Sequence, residues 1–353
     1  MSDLPPLPPR LSAIAAAALP PEPAAAPPLR WAILGAGGIA AKFARDVRRA
    51  GSAVVAVGSR TPGKAEAFAQ ENDVPAYGSY GDVVARDDVD AVYVATTHDT
   101  HVDAALQAIA AGKPVLIEKP MTRNSAELSR IREAACQGNV LVMEAMWSRF
   151  LPHYAIIRAV VEQKVLGDVT YVRAEFSGRG RGNERLETPY LAGGSLLDIG
   201  VYSASFVHWV LGKPEAIRAA GHLTERGIDA DVTALLSYPK ATAVCHSSIQ
   251  VGLDNSATIG FEYGRIVLPR DFYGPTELWV TFQEDTGPYQ EVWSDEALAG
   301  YGFEYEAAAF ARALAEGKGE VPGHGWDDAA EVMAILDEMR TQIGLVFPGE
   351  QNE

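Results

Sequence analysis

Arg30-Trp31-Ala32-Ile33-Leu34-Gly35-Ala36-Gly37-Gly38-Ile39-Ala40 runs from a short apolar stretch directly into a glycine turn. Phe43, Val47 and Ala50 follow at helical spacing. Strand, glycine turn and helix in that order are the setting in which a Gly-x-Gly-x-x-Gly/Ala sequence cradles a dinucleotide. There Gly35 makes the tight turn, and Gly37 lets a pyrophosphate come close to the backbone. Gly38 and Ile39 open the helix, whose N–H groups and dipole favour an anion, and Ala40 lets helix and strand pack closely.

Working outward, Ala53–Gly58 reads as a second buried strand. A chain that binds NAD carries Asp or Glu at the end of that strand, for the ribose 2′-hydroxyl. Here the sequence is Ser59-Arg60-Thr61-Pro62-Gly63-Lys64, with no acid to repel a 2′-phosphate. Ser59 can donate a hydrogen bond, Arg60 can pair with the phosphate and stack on adenine, and Lys64 adds a point charge. The expected cofactor is NADP rather than NAD.

Residues 65–70 and 80–85 look helical, 91–95 is a buried strand, and 102–111 is a helix stopped by Gly112. Thr96, Thr97 and His101 follow the carboxyl end of that strand, where open α/β sheets bind ligands, and are assigned to the cofactor. His98 and His101 have no third ligand near them in sequence. They read as polar groups at a helix start, and no metal is expected. Lys113-Pro114-Val115-Leu116-Ile117-Glu118-Lys119-Pro120 is a further strand that places Glu118 and Lys119 at its carboxyl end. Asn124 with Glu127 has the form of a capping box for a helix to residue 137, and 140–143 is another strand. Strands and helices alternating on this scale predict a parallel, doubly wound α/β sheet.

After Trp147 the rhythm changes. A helix over 154–163 and an alternating strand over 169–176 lead into a polar, glycine-rich loop over 177–188 that carries Arg179, Arg181 and Arg185. Such a loop is expected to shape a substrate site. Gly193-Gly194-Ser195 introduces an apolar helix over 196–211, on which Asp198 and Tyr202 are four apart and share a face. Strand-like runs at 217–223, 231–238, 241–249, 257–261, 264–268 and 277–282, joined by short turns, predict a largely antiparallel sheet. Helices over 303–316 and 326–343 close the chain. The expected division is an arm over 1–28, a nucleotide domain over 29–147 and a substrate and oligomerisation domain over 148–353.

The 353 residues are 48% hydrophobic and 22% charged, values of a globular protein with room for two cores. A net charge of −16 argues against a nucleic-acid partner or an anionic membrane surface, since both require excess Lys and Arg. No uninterrupted apolar run reaches the ~18 residues that spanning a bilayer needs. Cys136 and Cys245 lie far apart in apolar surroundings and read as buried free thiols of a reducing compartment, which places the chain in the cytoplasm. The first 28 residues are mostly Pro and Ala, which predicts an extended or disordered arm. Arg10 followed by Leu11 to Leu19 has a faint look of an export signal, but the run is alanine-dominated and its basic region is one residue.

Four motifs stand in one order: Gly35 to Ala40, Glu118-Lys119-Pro120, Glu144-Ala145-Met146-Trp147-Ser148-Arg149-Phe150, and Gly193-Gly194-Ser195-Leu196-Leu197-Asp198-Ile199-Gly200-Val201-Tyr202. Together they resemble the Gfo/Idh/MocA oxidoreductases, and within these the branch of dimeric dihydrodiol dehydrogenases and NADP-dependent D-xylose dehydrogenases. The resemblance extends to the closing Leu336-Asp337-Glu338-Met339-Arg340 and Ile343-Gly344-Leu345. It implies an N-terminal Rossmann domain and a C-terminal α/β domain with an open, mostly antiparallel sheet, whose exposed face builds homodimers or homotetramers. It also implies that Lys119 and Tyr202 are catalytic, with Asp198 beside them. Inositol-dehydrogenase-like members have His at the position of Tyr202, so the chain departs from them. The proline-rich arm resembles extensions in some relatives, including the exported glucose–fructose oxidoreductase.

The expected reaction is hydride transfer between nicotinamide and a carbinol or carbonyl carbon of a sugar, polyol or vicinal diol. A phenol titrates near pH 10, too high for easy proton transfer near neutrality. The Lys119 ammonium would favour the Tyr202 phenolate and can hydrogen-bond the reacting oxygen, while Asp198 would orient Lys119 or a substrate hydroxyl. Glu118 reads as an anchor rather than a proton carrier, and Trp147, Arg149, Phe150 and Arg185 are expected at the substrate. Two alternatives are a 1,5-anhydrofructose-type ketose reductase and an inactive NADP-sensing regulator. Lys119, Asp198 and Tyr202 standing together speak against the regulator.

Overall fold

The computed structural model describes residues 4–180 and 182–350. It divides into two compact units, one of residues 21–150 and 300–330, the other of residues up to 20, 151–299 and from 331 onward.

In the first unit, β1 (Arg30–Leu34), β2 (Ala53–Gly58), β3 (Tyr77–Gly78), β4 (Ala91–Val94), β5 (Val115–Glu118) and β6 (Val142–Ala145) form one sheet in the order β3-β2-β1-β4-β5-β6. Every pairing is parallel. All residues of β4, β5 and β6 are buried, as parallel strands covered on both faces must be. The order reverses between β1 and β4, and at such a switch point the strand ends splay to leave a ligand crevice. Beneath it Phe43 stacks on Tyr93 with ring centroids 3.8 Å apart, and Trp31 meets Phe43 edge-on and also touches Phe310. Phe310 lies on the helix Phe303–Ala315, with which the chain returns to this unit.

The second unit is built on β7 (Val169–Ser177), β8 (Ala216–Leu223), β9 (Asp229–Ser237), β10 (Thr242–Ser248), β11 (Ala257–Phe261), β12 (Gly264–Leu268), β13 (Glu277–Glu284) and β14 (Gly287–Ser294). Their order is β14-β13-β12-β11-β7-β10-β9-β8, antiparallel throughout except for β7 beside β10. Alternation sets the two faces: Val172, Ala174, Ala234, Ala243 and Ile259 are buried, while Tyr171, Leu235 and Val292 are exposed. The helix Val201–Leu211 lies on β7 and β10.

Three features differ from the sequence expectation. The arm is ordered where described: Pro9–Ala15 is a helix, and Leu11 and Ala15 are fully buried. The Arg10 and Leu11 N–H groups donate to the Glu291 carboxylate at 3.0 and 2.9 Å, and Trp293 Nε1 donates to the Pro5 carbonyl at 2.9 Å. Composition hid a local pattern, because Leu11, Ile14 and Ala15 share one helix face and Pro9 suits a first helical turn. Secondly, β14 is a strand despite Pro288; it is the sheet's edge, where a missing N–H is tolerated. Thirdly, Cys136 is exposed, on the outer face of the helix Ser125–Gly138 whose inner face is Leu128, Ile131 and Ala135; only Cys245 is buried.

Leu11→Ala is expected to lower unfolding stability by about 2 kcal/mol, the low end for a buried leucine because the helix is short. Denaturant titration with unchanged m-value checks it, and an unaltered midpoint would show that the arm adds nothing.

Candidate active site

Gly35 has φ +110°, and a Cβ on it would sit 2.4 Å from the Ala95 carbonyl oxygen, so only glycine lets β1 turn beside β4. Its N–H donates to the Gly58 carbonyl at 2.9 Å. Gly37 and Gly38 differ: a Cβ on either would meet no atom within 4 Å. The space they leave is open, at the start of the helix Gly38–Arg49, which has no side-chain cap. Uncapped N–H groups facing open space suit a pyrophosphate, and Ala40 is fully buried against the sheet. At the end of β2, Ser59 Oγ accepts from the Thr61 N–H at 3.1 Å, and Arg60 and Lys64 are exposed. Arg60 lies by the Tyr80 hydroxyl. Burial pushes that phenol up, and the Arg60 charge opposes it. Thr96 and Thr97 are half-buried after β4, with Thr97 Oγ1 3.4 Å from Thr100 Oγ1.

The turn after β5 holds Lys119, and its backbone groups are met by buried side chains. The Lys119 N–H donates to Glu118 Oε2 at 3.1 Å, the Pro120 carbonyl lies 2.9 Å from His101 Nδ1, and the Met121 N–H donates to Glu144 Oε1 at 2.8 Å. The Lys119–Pro120 bond is cis. Glu118 also accepts from the Tyr93 hydroxyl, which fixes its second oxygen. His101 Nε2 lies 3.2 Å from the Thr96 carbonyl, so one buried ring ties the end of β4 to the lysine turn. Burial lowers the His101 pKa despite the two carbonyls. The neutral ring has one proton to give, and the shorter distance assigns it to Nδ1.

Glu144 is itself held by His324, Nε2 to Oε2 2.8 Å. Burial pushes Glu144 up, but His324 and the Met121 N–H outweigh it and the net shift is downward. His324 is lowered by burial and by Arg149, so a neutral imidazole donates to a carboxylate. Glu306, on the helix Phe303–Ala315, is fully buried with neither oxygen hydrogen-bonded. Burial, then the charges of Glu118 and Glu144, raise its pKa well above the usual carboxylate range. Among the residues expected at the substrate, Trp147 is buried against Phe303 with ring centroids 4.8 Å apart. Arg149 pairs with Asp328 at 3.0 Å with its side chain 1% exposed, and Phe150 is half-buried.

In the second unit the helix carrying Asp198 and Tyr202 is not a single α-helix. Leu196–Gly200 is a π-turn and Val201–Leu211 is α-helical. Such widened turns recur at functional sites. Arg185 grips Asp198 as a fork, Nη1 to Oδ1 2.6 Å and Nη2 to Oδ2 3.2 Å. Tyr202 is 7% exposed and lies beside Phe176 and Tyr273, centroids 5.5 and 5.3 Å away, which stack on each other at 4.0 Å. Arg179 is exposed, and Arg181 lies outside the described residues. Sequence reasoning named Lys119, Tyr202 and Asp198 but did not single out the buried Tyr93, Glu144, Glu306 and His324. Of these only Glu144 carried a signal, as the first residue of a recognised motif.

With this geometry in place, comparison with known proteins is informative. Residues 29–146 match the oxidoreductase family with an NAD-binding Rossmann fold, and residues 154–267 match the GFO/IDH/MocA C-terminal domain. The chain is 36% identical over 327 residues to a trans-1,2-dihydrobenzene-1,2-diol dehydrogenase of Xenopus tropicalis, covering 90% of this chain and 99% of that one. The Homo sapiens protein of the same name is 36% identical over 333 residues, covering 92% and 99%. Among solved structures, the 3-ketoreductase KijD10 of Actinomadura kijaniata, in complex with TDP-benzene and NADP, superposes with a TM-score of 0.75 at 25% identity, covering 90% of this chain and 98% of that one. Solved forms of that ketoreductase include a lysine-to-alanine and a tyrosine-to-phenylalanine mutant.

Glu306 has a pKa raised in the folded chain, so its contribution to stability is complete below the carboxylate's ordinary value of 4.5 and is lost as pH rises toward the folded value. Glu306→Gln lacks this term. Its melting temperature relative to wild type is expected to climb steadily from pH 5 to pH 9 in a scanning-calorimetry series. A gap independent of pH would show that Glu306 is not held protonated.

Proposed function

This chain belongs to the Gfo/Idh/MocA oxidoreductases, and from that premise we propose that it is an NADP-dependent dehydrogenase or reductase acting on a vicinal diol, cyclic polyol or sugar. The observation that carries the reading is the lysine turn, where Glu118, His101 and Glu144 fix the backbone on either side of Lys119. A solvated turn has no need of three buried polar side chains. The dihydrodiol dehydrogenases at 36% identity support the diol and sugar class. Loop 177–193 is where we place the choice among its members.

The glycine turn and the helix Gly38–Arg49 would hold the cofactor's pyrophosphate, and Ser59, Arg60 and Lys64 its 2′-phosphate. When bound, the cofactor supplies or accepts a hydride at nicotinamide C4. The protein's part is the proton and the geometry. Tyr202 gives a proton to, or takes it from, the oxygen on the reacting carbon. On the family reading Lys119 serves as the second catalytic group, and Asp198, steadied by Arg185, orients its neighbours. General acid–base help of this kind contributes about a hundred to ten thousand-fold. For partners we propose a second copy of the chain on the exposed sheet face bearing Tyr171, Leu235 and Val292, and for location the cytoplasm. No helix among the described residues is long and apolar enough to cross a membrane.

Tyr202→Phe is expected to lower turnover at least a hundredfold with NADPH affinity retained, measured against a panel of trans-dihydrodiols, polyols and aldoses. Near-wild-type turnover would remove Tyr202 from the mechanism, and partner binding without NADPH oxidation across the panel would favour the regulator instead. Arg60→Ala is expected to weaken NADP binding about tenfold or more while leaving NAD binding unchanged, by paired fluorescence titrations. Equal affinity of the wild type for both cofactors would overturn the NADP assignment.

A further inference from the structure

We infer that Asp229 is a positioning residue for the reaction: its carboxylate fixes the start of the π-turn that carries Asp198 and feeds Tyr202. Asp229 opens β9 and is fully buried. Its Oδ2 accepts from the Leu196 N–H at 2.6 Å and from Ser195 Oγ at 2.7 Å, the two groups that begin the turn. Its Oδ1 has no hydrogen-bond partner and lies 2.0 Å from where a Gly194 Cβ would be. The carboxylate is therefore pressed against the chain just before the turn and bonded to the chain at its start. A helix is ordinarily capped by the residue that precedes it. Here the acceptor comes from a strand more than thirty residues away in sequence, so the helix start is pinned to the sheet.

The far end of the turn is held by the same group of side chains. Ser247 Oγ on β10 lies 3.1 Å from Ser195 Oγ, and a Cβ on Gly200 would come within 2.8 Å of it. Asp229 thus bonds the start of Leu196–Gly200 to β9, and Ser247 on β10 packs closely against its end. This matters because a π-turn holds one residue more than an α-turn. Were the start to slip and the turn to relax to α, everything downstream would rotate by about 100°, one residue of helix. Tyr202, two residues past the turn, would leave its place beside Phe176 and Tyr273. Burial raises the Asp229 pKa to about 6, so the fold holds a carboxylate where a neutral side chain would be easier to bury. The charged groups on neighbouring elements have other partners: Asp198 has Arg185, Arg173 and Glu175 share Ser256, Asp231 has His222, and His246 has Thr233.

This inference rests on Tyr202 being catalytic, and the test separates the two. Asp229→Ala, Asp229→Asn and Tyr202→Phe are compared with wild type for kcat, KM and NADPH affinity. Asp229→Ala is expected to lose tenfold or more in kcat with NADPH affinity within twofold of wild type. Asp229→Asn, whose amide oxygen still accepts from Leu196 and Ser195, is expected to restore kcat to within threefold. Full kcat in Asp229→Ala beside an inactive Tyr202→Phe overturns the role of Asp229 alone, as does an Asn variant no better than Ala. An active Tyr202→Phe overturns the catalytic reading and this inference with it. Should the alanine variant fail to fold, Asp229→Ser, whose acceptor is one bond short, is expected to lose at least threefold in kcat, and unchanged kcat there overturns the inference.

Discussion

A chain that leaves a buried parallel strand must find partners for its backbone within a residue or two, because β5 is buried on both faces and the next helix begins only at Ser125. At Lys119, Pro120 and Met121 those partners are side chains, Glu118, His101 and Glu144. A turn held by water or by its own carbonyls can shift at little cost. One held by two carboxylates and an imidazole that are themselves bonded to Tyr93, His324 and the Thr96 carbonyl moves only if those bonds break. The position of the lysine is therefore a property of the sheet, of the switch-point loop and of the helices around them, rather than of the turn.

Concentrating acids beneath one turn has an electrostatic consequence that sorts them by partner. Glu144 is as deeply buried as any, yet it stays ionised because His324 and a backbone N–H donate to it. Glu306 has the same surroundings and no donor, so it keeps its proton. Two carboxylates in one low-dielectric region favour a single charge, and the hydrogen-bond donors decide which one bears it. A neutral Glu306 leaves the negative charge beneath the turn on the carboxylates whose oxygens hold its backbone, Glu118 and Glu144. Asp229 shows the intermediate case: two donors on one oxygen and none on the other hold it near 6.

How much of this was legible in the sequence follows from range. The glycine turn, the missing acid at Ser59-Arg60 and the strand-end Lys119 are local patterns, and each fell where the pattern put it. The alternating run 169–176 likewise became the half-covered strand β7. What escaped depends on partners distant in sequence: His324 against Glu144, Asp229 against Leu196, and Glu291 against the arm. The π-turn escaped for the same reason. Leu196 to Leu211 is apolar enough for an α-helix, and the groups packed against its first turn, Asp229 and Ser247, are distant in sequence. The arm was misjudged because composition was weighed above the spacing of Leu11, Ile14 and Ala15, and β14 was passed over because its residues are polar and one is proline.

The fork between Arg185 and Asp198 divides the labour among the three groups named from the sequence. Each oxygen of Asp198 already accepts from a guanidinium N–H, at 2.6 and 3.2 Å. A carboxylate so paired can still accept a further donor from the side, and the guanidinium charge beside it favours the ionised form. Its service is orientation. The Tyr202 ring lies beside Phe176 and Tyr273, which fix its orientation. This division agrees with the proposed role of Tyr202 as the proton carrier, and it gives Arg185, on the loop, a direct hold on the aspartate. Because Arg185 sits on that loop, a rearrangement of the loop that moves Arg185 also disturbs Asp198, so on the proposed reading specificity and turnover vary together.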